Sequence, residues 1–120
     1  MIVQDVPLTQ ARANLHRMSM YSEQASVLPQ AESMRSHVQD TIRFGEQTRD
    51  LLEEALDSID EKRITLCAEQ ALNAVEETLD QANQALLASE TTTRKHVELM
   101  GASIERAISL LDIASKMEAA

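Results

Sequence analysis

Aromatic residues are nearly absent from this chain: there is no tryptophan, and Tyr21 and Phe44 are the only rings besides three histidines in 120 residues. A core without large rings must be built from aliphatic side chains, and sixteen alanines dilute even those. Alanine buries little area, and burial stabilises by roughly 25 cal/mol per Å² of apolar surface. Small domains also bury proportionally less of their surface than large ones. The composition therefore predicts a homo-oligomer or an obligate complex, in which docking supplies the missing burial.

Glycine and proline occur twice each, which leaves few places to bound strands or turn hairpins. Good helix formers dominate instead, and the chain reads as all-α. A single cysteine, Cys67, excludes an intrachain disulfide framework and a multi-cysteine metal cluster. No window approaches the roughly 20 apolar residues of a membrane-spanning helix. Met1 to Leu8 has neither the basic start nor the apolar stretch of a secretory signal. The expectation is a cytoplasmic chain without membrane insertion.

The charge is unevenly placed. Twelve acids and three bases fall between Glu46 and Glu90, whereas residues 1–45 and 91–120 each balance four against four. The whole net charge of −9 thus resides in one segment free of glycine and proline. Phosphate binding requires clustered Lys and Arg, so direct contact with nucleic acid is not expected. Acids on solvated helix faces keep an alanine-rich bundle soluble, and they also attract a basic partner.

Apolar residues recur at helical spacing in four segments, about 9–28, 30–57, 60–89 and 91–118. The first starts near Asp5 or Thr9, carries Ala11, Leu15, Met18 and Ala25, and ends at Pro29. The second starts at Gln30 and shows Ala31, Met34, Val38, Ile42, Gly45, Leu52, Leu56 and Ile59, with Arg49 falling on the stripe. Gly45 within that helix costs about 1 kcal/mol against alanine, which points to close approach of another helix. The third carries Ala68, Leu72, Val75, Leu79, Ala82 and Leu86, out of phase with the second. The phase break places a turn near Asp57 to Asp60, where Ser58 and Glu61 have the spacing of a capping box. The fourth runs Val97, Met100, Ile104, Ile108, Leu111 and Ala114. Ser89 to Thr93 separates the last two, because consecutive β-branched residues are poor helix interior. The reading is an antiparallel four-helix bundle or coiled coil, the alternative being three helices with one long helix over residues 60–118.

No constellation for catalysis, metal binding or a cofactor emerges. His16, His37 and His96 stand alone in three segments, without the Glu-x-x-His pairs of carboxylate metal bundles. His37 and Asp40 are one turn apart and spaced for a local hydrogen bond. Cys67 has no base positioned to activate it. Met18, Met34, Met100 and Met117 fall on or beside the seams as core filling. The run Ala55, Leu56, Ile59, Asp60, Arg63, Leu66, Ala68 and Gln70 resembles the helix that opens the carboxy-terminal coiled coil of flagellin-type axial proteins. That resemblance covers sixteen residues, lacks the family's arginine- and asparagine-rich continuation, and implies assembly through helical pairing.

These features predict a non-enzymatic interaction protein: an adaptor, secretion-type chaperone or assembly subunit with a protein partner, basic or helical. Leu52, Leu56, Leu72, Leu79, Ile104 and Leu111 are the expected assembly residues, and Glu53, Glu54, Glu76 and Glu77 the expected partner-binding ones. A structural subunit of a filament or particle, and an acidic inhibitor or mimic that binds a basic partner, are the alternatives.

Overall fold

Each of the four segments forms one helix. The computed structural model describes residues 6–28 and 31–119, with α1 at Val6–Val27, α2 at Ala31–Ser58, α3 at Lys62–Leu87 and α4 at Glu90–Ala119. Each helix packs on its neighbours in sequence and α4 returns to α1, closing a ring whose overall dimensions are 50 × 18 × 18 Å. A helix of 28 residues is about 42 Å long, so the rod is little longer than its helices. Connections of a few residues make neighbouring helices antiparallel. Between α1 and α4 the same direction is read from Arg12 bonding Asp112, Ser19 bonding Glu105 and Arg94 bonding the Ser26 carbonyl.

The helix ends follow local chemistry. α1 already exists at Val6, so Thr9 lies inside its first turn and not at its start. Pro7 is tolerated there because amides of the first turn need no helical partner. Asp5, Pro29 and Gln30 lie outside the described residues, as does the side chain of Ala31. The α2–α3 turn falls at residues 59–61, close to its expected place, but the capping roles differ. Ser58 ends α2 with its hydroxyl on the Ala55 carbonyl, while Glu61 itself caps α3 by accepting the Ile64 amide at 3.0 Å. The flagellin-like run therefore spans two helices and their turn. The long-helix alternative is excluded at Ala88, whose extended backbone (φ −77°, ψ 158°) ends α3. The buried Thr93 hydroxyl then donates to the Ser89 carbonyl at 2.9 Å, beside the last carbonyls of α3.

The core stripes are heptads. In α1 they run Leu8, Ala11, Leu15, Met18, Ser22 and Ala25; in α2 Met34, Val38, Thr41, Gly45, Thr48, Leu52 and Ala55. In α3 they run Ile64, Ala68, Ala71, Val75, Thr78, Ala82 and Ala85; in α4 Thr93, Val97, Met100, Ile104, Ala107, Leu111 and Ala114. Alternating steps of three and four keep one face toward the partners throughout.

Two sequence-based stripes need correction by one position. In α2 the interior positions are Thr41, Thr48 and Ala55, while Ile42, Arg49 and Leu56 lie half-buried on the flank. In α3 Ala71, Thr78 and Ala85 are deepest, with Leu72 and Leu86 partly buried beside them. At these positions of α2 and α3 small residues face the axis, and larger aliphatics close the seam between the two helices. The hydroxyls of Thr41, Thr48 and Thr78 are accommodated inside because each donates to the carbonyl four residues earlier, at 2.7–2.9 Å. Gly45 has the role its spacing implies: a Cβ there would stand 2.7 Å from Leu79 Cδ2 and 3.2 Å from Met18 Cε.

Candidate functional site

The expected assembly residues belong to the interior of the single chain. Leu52, Ile104 and Leu111 are fully buried, Leu79 is nearly so, and Leu56 and Leu72 pack against them on the flank. Most of their apolar area is covered within the chain. The four methionines are likewise core filling, with Met18, Met34 and Met100 buried and Met117 packed at the edge.

The four singled-out acids are all exposed, but the heptad register distributes them around the rod. Side chains of α2 just before the core positions, His37 and Phe44, face α1, because Tyr21 stacks on both at centroid distances of 6.2 and 5.7 Å. Residues just after the core positions lie on the opposite flank, toward α3, as the contact between the Gly45 backbone and Leu79 requires. Glu53 follows Leu52 and Glu76 follows Val75, so both stand on the α2–α3 face, together with Glu46 and Glu69. Glu77 instead turns to α4, where Arg106 Nη1 donates to its Oε2 at 2.7 Å. Glu54 lines a groove of 590 Å³ between α1 and α2 with Asp50, Gln10, Asn14, Arg17 and Gln47.

Compensation of charge on the α2–α3 face is sparse. Glu46, Glu53, Glu69 and Glu76 enter none of the ion pairs among the described residues, and the nearby Arg49 contacts Asp50 at 3.6 Å. The α1–α2 face carries cations beside its acids. There the guanidinium groups of Arg17 and Arg43 approach the Phe44 ring at 5.7 and 5.2 Å, continuing the stack of Tyr21 and His37. The sequence displayed the two aromatic residues without showing that α1 and α2 bring them together.

The histidines do not converge. His16 is exposed on α1, and His96 Nδ1 lies 2.8 Å from Gln81 Oε1 of α3. The expected bond between His37 and Asp40 is not made: Asp40 pairs with Arg43 at 3.2 Å, and the buried His37 Nδ1 has no hydrogen-bond partner. Among the described residues no group of three or more His, Cys, Asp or Glu is arranged to hold a metal ion. Cys67 is a buried free thiol in α3. No described helix is long and apolar enough to cross a membrane. No protein-family model, curated protein or solved structure matches the chain.

Proposed function

We propose that this chain is a non-enzymatic interaction protein, an adaptor, secretion-type chaperone or assembly subunit, that docks a basic protein segment on the α2–α3 face. The observation that supports this reading is the row of exposed acids Glu46, Glu53, Glu69 and Glu76, which no ion pair among the described residues engages. Opposite potential across such a face steers encounter and fixes register. Glu54 and Glu77, on other faces, are peripheral to it.

The test is charge reversal with capture from the native host and quantitative mass spectrometry. Glu53→Lys with Glu76→Lys abolishes capture of the partner, whereas Glu54→Lys with Glu77→Lys retains it. Equal capture by both double variants, with only a drop in solubility, assigns the acids to solvation and ends the docking reading.

Self-assembly is the second reading, supported by a different surface. Leu99 and Ile113, two heptads apart on the flank of α4 that carries Arg106, are 42% and 46% exposed. Leu99→Ser with Ile113→Ser leaves sedimentation unchanged unless this flank pairs copies of the chain.

A further inference from the structure

A second groove, of 270 Å³, runs between α1 and α4, lined by Ser19, Ser22, Glu23 and Ser26 on one side and Val97, Glu98, Gly101 and Glu105 on the other. Two residues shape its floor, where α1 and α4 approach closely. The first is Ser22. It is only 4% exposed, and its hydroxyl, which enters no hydrogen bond among the described residues, faces the groove. The other buried hydroxyls, of Thr41, Thr48, Thr78, Thr93 and Ser103, all donate to backbone carbonyls. A hydroxyl unpaired within the bundle is left to bond whatever occupies the space in front of it, and for Ser22 that space is the groove.

The second is Gly101. Unlike Gly45, it has no apolar side chain pressed against it: a Cβ there would meet only Ser22 Oγ, at 3.0 Å. Glycine inside a helix is unfavourable relative to alanine, and here the missing Cβ leaves the Ser22 hydroxyl uncovered. Three carboxylates, Glu23, Glu98 and Glu105, surround the depression, and no basic residue lines it. The nearby Arg94 is engaged elsewhere, donating to the Ser26 and Leu28 carbonyls at 2.6 Å. Ser19 already donates to Glu105 Oε1 at 3.0 Å, which fixes that carboxylate at the groove edge.

We infer that the α1–α4 groove seats a single basic side chain, lysine or arginine, of a protein partner. Its alkyl stem lies over Val97 and Gly101, and its cationic head reaches the Ser22 hydroxyl and the flanking carboxylates. Lysine carries three donors and no acceptor, and charge-assisted bonds of this kind are roughly twice as strong as neutral ones. A depression of 270 Å³ accommodates one long side chain. The inference rests on the interaction-protein reading for its biology, but it names a different face, and its test needs no partner.

The test is amide chemical-shift titration of the full chain with Nα-acetyl-lysine amide, Nα-acetyl-arginine amide and the uncharged Nα-acetyl-norleucine amide. The expected result is a footprint confined to the amides around Ser22, Glu98, Gly101 and Glu105 for one or both cations, with a Kd of order millimolar, and no footprint for norleucine. Gly101→Ala, which fills the depression and favours the helix, weakens binding at least about fivefold, and so does Glu98→Gln. A footprint shared by norleucine, shifts centred on Glu53 and Glu76, or undiminished affinity in folded Gly101→Ala each overturns the proposal. Those failures leave the α2–α3 reading to its own capture experiment, and loss of that reading leaves the cation titration intact.

Discussion

The Cβ that Gly45 lacks would stand 2.7 Å from Leu79 Cδ2, so α2 and α3 meet with backbone against side chain at the middle of the bundle. Alanine at 45 gains about 1 kcal/mol of helix propensity but overpacks the core, at a cost of about 1–3 kcal/mol. Gly45→Ala is therefore destabilising by about 1 kcal/mol net. Gly101→Ala, whose added methyl meets only the Ser22 hydroxyl, which can rotate aside, is stabilising by up to about 1 kcal/mol. Urea midpoints of the two variants move in opposite directions.

The register of α2 gives a sharper test. Thr48 is fully buried, with its hydroxyl on the Phe44 carbonyl and 3.6 Å from Met18 Sδ, whereas Arg49 is half-buried on the flank. Thr48→Lys places a charge in the core and costs more than about 3 kcal/mol, while Arg49→Lys stays within about 0.5 kcal/mol. Thr48→Val, which keeps the shape, changes stability by less than about 1 kcal/mol. Circular dichroism melts of the three variants check the order.

That one-position shift shows what the sequence could and could not express. Helix number, the two later turns and most core residues of α1 and α4 follow from apolar spacing and from the scarcity of glycine and proline. Thr41 and Thr48 give no apolar signal, because hydropathy counts a hydroxyl as polar and cannot register that it bonds its own helix. The apolar pattern then slid toward Ile42 and Leu56, which flank the true axis. Ser22 was lost for the same reason, as the unfilled step between Met18 and Ala25. The acids were visible as composition, but their division among faces depended on which flank of each helix meets which neighbour.

Arg94 was not legible as a structural residue at all. From α4 it donates to the Ser26 and Leu28 carbonyls at 2.6 Å, satisfying the exposed carbonyl end of α1. Arg94→Ala costs about 1–2 kcal/mol and frays the last turn of α1. Hydrogen exchange accelerated at the amides of residues 24–28, with the rest of the bundle still protected, is the expected signature.

Glu61 makes stability depend on pH. The Ile64 amide and then the Arg63 amide hold its carboxyl below the usual value of 4.5. A carboxyl with a depressed folded-state value stabilises the fold above its unfolded value, and that contribution disappears as pH falls through the lowered one. Glu61→Ala therefore melts below the unchanged protein at pH 7, and the gap in Tm narrows from about pH 4.5 downward. A gap constant from pH 7 to pH 3 would show that the cap acts through something other than its charge.

The seam between α1 and α4 differs from the other three in two respects. No loop spans it, and Ser19, Ser22, Ser26 and Gly101 line it where α2 and α3 are joined by Ile42, Leu56, Leu72 and Leu79. Its rim is polar, and the side-chain bonds of Arg12, Ser19 and Arg94 fasten it in place of a loop. The bundle is in this sense a clasp: α2 and α3 are joined by hydrocarbon, and the lips that carry the cation groove are fastened by polar side chains.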